Sequence, residues 1–144
     1  MSLVGLKRIS KSPENTVSIG EEIGQLLPRE KVICFIGGLG AGKTMLIKGI
    51  AAEITGLPLR EINSPTFSYL NIYEGDETLY HFDCYRLNGP QDFLTRGFDE
   101  YFGFLCLIEW SERITPILPK NRVVIKIEYH GEKERIIRYE ESPF

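Results

Sequence analysis

The chain lacks any apolar run approaching the ~20 residues of a membrane-spanning helix, and its 144 residues hold only three cysteines, two histidines and one tryptophan. Nothing in it therefore reads as a helical membrane span. Cys34, Cys84 and Cys106 are an odd set without CxxC spacing, each inside or beside an apolar, strand-like run. They are expected to be buried reduced thiols rather than metal ligands or a redox pair. His81 and His130 have no nearby cysteine or second histidine with which to complete a zinc site. A basic excess is missing too: 17 Lys and Arg against 20 Asp and Glu give a net charge of −3. That balance disfavours a direct grip on RNA by this chain alone. After MSLVGLKRISKS there is no apolar stretch of about 7–15 residues with a small-residue cleavage site, so a cytoplasmic location is expected. No repeat, low-complexity tract or Pro/Ser-rich linker interrupts the sequence, and 1–144 is expected to form one domain.

What is present is the patterning of an α/β protein. From Glu14 to Leu27, Val17, Ile19, Ile23, Leu26 and Leu27 recur at helical spacing behind Ser12 as N-cap and Pro13 in the first turn. The run Val32-Ile33-Cys34-Phe35-Ile36 is short, continuously apolar and rich in β-formers, as a strand covered on both faces should be. A second helix is expected over Met45 to Ile54, stopped by Gly56 and Pro58. Phe67 to Tyr73 and Leu79 to Asp83 flank a turn at 74–77 and read as an antiparallel hairpin. Pro90 opens a helix expected to reach about Phe102, and Phe104 to Ile108 is a second buried strand ending in Glu109. Asn121 to Tyr129 and Glu134 to Glu140 read as a closing hairpin. The predicted fold is a three-layer α/β sandwich around a mixed central sheet.

Between the first apolar strand and the second helix stands Gly37-Gly38-Leu39-Gly40-Ala41-Gly42-Lys43-Thr44, which satisfies G-x-x-x-x-G-K-[ST]. Glycines suit a backbone that wraps closely around phosphate oxygens and aims several N–H groups inward. The following helix adds its positive dipole end and unsatisfied amides. Lys43 is then placed to reach the β and γ phosphates, and the Thr44 hydroxyl is a hard oxygen ligand for Mg²⁺. No [NT]KxD or DxxG segment accompanies the loop, so ATP is the expected nucleotide rather than GTP.

A phosphate loop needs an acidic partner for the metal at the end of an apolar strand, and two candidates occur, Asp83 and Glu109. Glu109 follows the more apolar run. In Asn63-Ser64-Pro65-Thr66-Phe67, Thr66 has two readings: a switch residue that senses the γ-phosphate, or part of a turn capped by Ser64 in which Pro65 sets the strand entry.

Taken together, GGLGAGKT at 37–44, SPTF at 64–67, YHFDCYRL at 80–87 and CLIEWSERI at 106–114 resemble the TsaE family over nearly the whole chain. The resemblance implies a P-loop NTPase-like fold and an ATP- and Mg²⁺-dependent ATPase of low intrinsic turnover. It implies association with the TsaB–TsaD heterodimer, which threonylcarbamoylates the tRNA adenosine beside the anticodon, so that tRNA is met only indirectly. By the same resemblance Thr44 and Glu109 are Mg²⁺ ligands, Asp83 positions the attacking water or supports the metal, and Thr66 is a switch residue. Ser12 and Arg135 join the nucleotide site, and Arg86 supports Asp83 or faces a partner. Trp110 and Arg113 belong to the motif without an assigned role. One departure is Gly38, where the family's loop usually carries an acidic residue; its amide still serves, but any contact of that carboxylate is absent.

Two other functions share the same loop. A small-molecule kinase would carry an arginine-bearing lid, and no Arg-rich insertion lies between 86 and 120. A nucleotide-dependent binding module would use ATP to hold a partner surface, with hydrolysis incidental.

Overall fold

The seven-stranded sheet that organises the chain is seen in a computed structural model, which describes residues 3–38, 40–65 and 68–140. In chain order the elements are β1 (Lys7–Ser10), α1 (Pro13–Leu26), β2 (Val32–Ile36), α2 (Lys43–Thr55), β3 (Leu70–Glu74), β4 (Thr78–Asp83), α3 (Pro90–Thr95), β5 (Cys106–Glu109), β6 (Val123–His130) and β7 (Glu134–Glu140). Short 3₁₀ segments occupy Leu59–Glu61, Phe98–Tyr101 and Ser111–Ile117. The strand order is β1-β7-β6-β2-β5-β4-β3. The four inner strands β6, β2, β5 and β4 run parallel, and antiparallel pairs close both edges. The predicted mixed sheet and both hairpins are therefore found.

Alternation along the inner strands divides the core in two. Ile33, Phe35, Leu79, Leu107, Ile125 and Ile127 face one side, where α1 and α2 cover them with Ile23, Leu46, Ile47 and Ile50. Cys34, Phe82, Cys106, Ile108 and Val124 face the other, beneath Phe93 of α3 and Ile114. That completes the three layers. On the first side the helices touch backbone to backbone: a Cβ on Gly49 would lie 2.1 Å from the Val17 carbonyl oxygen, and one on Gly20 would lie 2.3 Å from that of Leu46. This contact seats α2, and with it the loop that precedes it.

Several boundaries differ from expectation. The helix expected from Pro90 to Phe102 stops at Thr95, because Gly97 takes a left-handed conformation (φ 75) and the chain resumes as the 3₁₀ segment 98–101. The strand expected from Phe104 begins at Cys106, and Phe104 is 53% exposed. β3 begins at Leu70, after Tyr69 at φ 64; Phe67 lies outside the described residues. β1 carries no apolar signal of its own and exists by pairing with β7, Lys7 opposite Arg138 to Ser10 opposite Arg135. All three cysteines are buried free thiols, as expected. Burial pushes Cys34 up to about 11 and Cys106 up to about 12.

Candidate functional site

Parallel registry places the ends of three strands side by side: Phe35 is opposite Glu109, and Glu109 is opposite Asp83. Neighbouring strands lie about 4.8 Å apart, so the two carboxylates rise from one row of the sheet, two residues below the glycine at which β2 becomes the loop. Both point to the face that α2 covers, because they continue the Leu107 and Leu79 alternation. A cavity of about 400 Å³ lies there, bounded by the loop glycines, Lys43, Thr44, Ser64, Asp83, Glu109 and Trp110, with Arg86 also on its wall.

The loop adopts the backbone its glycines allow. Gly40 and Gly42 have φ values of 77 and 102, and Gly42 caps α2 without a side chain. α1 differs, since the Ser12 hydroxyl accepts the Asn15 amide at 3.0 Å. The start of α2 thus offers amides and a positive dipole end that no capping side chain competes for. Arg135 braces the loop from β7, donating to the Ala41 carbonyl at 3.2 Å and to the Gly40 carbonyl at 3.4 Å, with its guanidinium 4.1 Å from the Tyr129 ring. Ser12 and Arg135 border a second hollow of about 220 Å³ on the far side of Gly40 and Gly42, together with Thr16, Met45 and Lys133.

Lys43 is only 6% exposed. Its ammonium donates to the Gly37 carbonyl at 2.6 Å and lies 3.9 Å from the centre of the Trp110 ring. Burial lowers its pKa, and Glu109, Glu112 and Asp83 oppose that shift. Trp110 reaches this position because it turns into the left-handed region (φ 56) directly after β5, at a cost of about 1–2 kcal/mol for a residue with a Cβ. Its ring packs on Tyr85 at 4.9 Å, and the Arg113 guanidinium lies 5.6 Å from the centre of the Tyr85 ring.

The acidic pair is held differently at each member. Asp83 accepts the Tyr85 amide at 3.0 Å. Burial raises its pKa, the Tyr85 amide bond lowers it, and Glu109 raises it further. Glu109 is 4% exposed, and its Oε2 lies 2.8 Å from His81 Nε2. A buried carboxylate and a half-buried one, beside an exposed threonine hydroxyl and an anion-accepting loop, form a donor set of hard oxygens suited to Mg²⁺. The Thr44 hydroxyl is 3.2 Å from that of Ser64. The loop carrying Ser64 is pinned in turn by Tyr73 and Asn71, whose side chains bond the main chain of Asn63.

Of the residues singled out from sequence, Gly38, Gly40, Ala41, Gly42, Lys43, Thr44, Asp83 and Glu109 meet at the larger cavity. Ser12 and Arg135 meet at the smaller one. Gly37 lies behind the loop against Ile127. Leu39 and Thr66 lie outside the described residues. Sequence reasoning missed His81, although its position two residues before Asp83 on one strand already placed both on one face.

A family model described as threonylcarbamoyl adenosine biosynthesis protein TsaE matches residues 10–137. The chain belongs to the TsaE family. Relatives named tRNA threonylcarbamoyladenosine biosynthesis protein TsaE include that of Treponema pallidum, 39% identical over 135 residues, covering 92% of this chain and 98% of the relative. That of Bacillus subtilis is 39% identical over 137 residues, covering 93% and 84%. A crystal structure of Bacillus subtilis YdiB superposes with a TM-score of 0.76 at 34% identity, over 95% of this chain and 85% of that one. Within this TsaE-family fold, a Cβ on Gly38 would meet nothing within 4 Å. Packing therefore does not require glycine at the position where the family's loop was expected to be acidic. Among the described residues no helix is long and apolar enough to cross a membrane.

Proposed function

We propose that this TsaE-family protein is a slow ATPase that binds Mg-ATP on residues 37–44 and acts in the cytoplasm, as a single domain, with TsaB and TsaD in threonylcarbamoylation of the tRNA adenosine next to the anticodon. The observation that carries the nucleotide assignment is the convergence of a buried Lys43 ammonium, an uncapped helix start and the Asp83–Glu109 pair on one cavity. The pathway follows from the family and from what its named relatives do.

Lys43 exchanges its contact with Gly37 for the β and γ phosphate oxygens, where a desolvated ammonium is worth more than at the surface. The loop amides and the start of α2 take the remaining phosphate charge. Thr44 and Glu109 hold Mg²⁺, which when bound neutralises charge on the phosphate oxygens. Asp83 orients the attacking water, its carboxyl fixed through the bond from the Tyr85 amide. Ser12 and Arg135 border the hollow into which the rest of the nucleotide extends, and Thr66 follows the γ-phosphate. Positioning and charge placement supply the acceleration, and turnover stays low until a partner completes the site.

Calorimetry with ATP, ADP and GTP in the presence of Mg²⁺ tests the ligand, and a product assay should find ADP and inorganic phosphate with no phosphorylated acceptor. Co-purification with TsaB and TsaD, with ATP or a non-hydrolysable analogue, tests the partners. Equal binding of GTP and ATP, or no retention by TsaB–TsaD under either nucleotide, would refute the corresponding part.

A further inference from the structure

We infer that His81 is a positioning residue for the metal ligand Glu109: it holds one carboxylate oxygen so that the other is presented to the ion. The inference rests on the assignment of Glu109 as a Mg²⁺ ligand. His81 is 1% exposed, and its Nε2 lies 2.8 Å from Glu109 Oε2, itself on a residue 4% exposed. Nδ1 is buried without a hydrogen-bond partner among the described residues. The proton therefore sits on Nε2, where it has an acceptor, and His81 donates to Glu109.

The fold fixes the direction of this bond. His81 and Asp83 share a face of β4, and parallel pairing sets His81 opposite Leu107 and Asp83 opposite Glu109. The imidazole thus stands one alternation behind the cavity and reaches forward to the carboxylate. Tyr73 backs the ring at 6.4 Å between centroids, and the Tyr73 hydroxyl bonds the Asn63 main chain beside Ser64. Ligating carboxylates are ordinarily held by such outer hydrogen bonds, whose loss costs metal affinity. A neutral core hydrophobe would satisfy packing at position 81 equally well; it would leave a buried carboxylate with no donor from β4 and free to rotate.

The test compares wild type, His81→Gln, which keeps an N–H donor, and His81→Phe, which keeps the ring but not the donor. Thermal melts establish folding, and Mn²⁺ binding is followed by electron paramagnetic resonance with ADP or a non-hydrolysable ATP analogue present. Metal-free nucleotide affinity is measured by calorimetry. His81→Phe should weaken Mn²⁺ binding about 10-fold or more, and His81→Gln no more than about 3-fold, with metal-free nucleotide affinity unchanged in both. In the wild type, nitrogen NMR of a chain with only two histidines should show the His81 proton on Nε2 and a displaced signal when Mg²⁺ is added to the nucleotide complex. A folded His81→Phe protein with wild-type Mn²⁺ affinity overturns the inference. Should that variant not fold, an unmoved His81 signal in the wild type does the same. A wild type that binds no divalent ion beside nucleotide would instead bring down the metal assignment and this inference with it.

Discussion

Replacing Lys43 by methionine separates binding from folding, because the same side chain counts oppositely in the two. In the folded chain the ammonium has one carbonyl at 2.6 Å and an indole face at 3.9 Å. A charged hydrogen bond contributes about 1.5–3 kcal/mol and a cation–π contact about 0.5–2 kcal/mol. Against them stands the cost of burying the charge, which depresses the lysine pKa. Methionine keeps the length and apolar stem and removes both sides of that balance, so Tm should stay within about 4 °C of wild type. Toward a triphosphate no such cancellation exists. At about 4 Å and an effective dielectric near 20, one cation–anion pair is worth about 4 kcal/mol, which is about a thousandfold in Kd. Calorimetry with Mg-ATP, paired with a thermal melt of the same sample, reads both quantities. A folded Lys43→Met protein that loses less than about 10-fold in ATP affinity would show that the buried ammonium does not face the phosphates, and the site assignment would fall.

Asp83→Asn should stabilise the protein at neutral pH. Burial lifts the carboxyl above the usual aspartate range, so the folded chain binds that proton more tightly than the unfolded one, and the penalty grows as pH rises through the folded value. Thermal melts should show a gain of about 0.5–2 kcal/mol near pH 8 that disappears below the ordinary aspartate pKa, while ATP turnover is lost; a gain that persists in acid would refute the charge explanation. Gly49→Ala should destabilise by about 1–3 kcal/mol in urea titrations despite a gain of roughly 1 kcal/mol in helix propensity, because its Cβ would press on the Val17 carbonyl. The three buried thiols, with Cys34 pushed up to about 11 and Cys106 to about 12, should react with a thiol reagent near pH 8 only as fast as the chain opens. Fast labelling of native protein would contradict their burial. Arg135→Ala removes both donors to the loop carbonyls and should weaken Mg-ATP binding by about 3- to 10-fold in the same calorimetric assay; an unchanged Kd would mean the loop holds its shape without that brace.

By itself, the sequence determined the elements whose signals are local. The run Val32 to Ile36 suited an enclosed strand, GGLGAGKT could be read as an anion loop from its spacing, and Ser12 with Pro13 announced the start of α1. Each of these rests on a period, a cap or a backbone freedom that a few adjacent residues carry. Tertiary structure decided what depends on partners far along the chain. Lys7–Ser10 becomes a strand only because β7 offers an edge. Trp110 covers Lys43 through a left-handed turn that no propensity foretells. His81 shares a strand face with Asp83, but it finds Glu109 28 residues away only because two parallel strands lie in that register. Strand order and register are long-range choices, settled by which faces bury together, and they brought Glu109 beside the His81 and Asp83 of another strand.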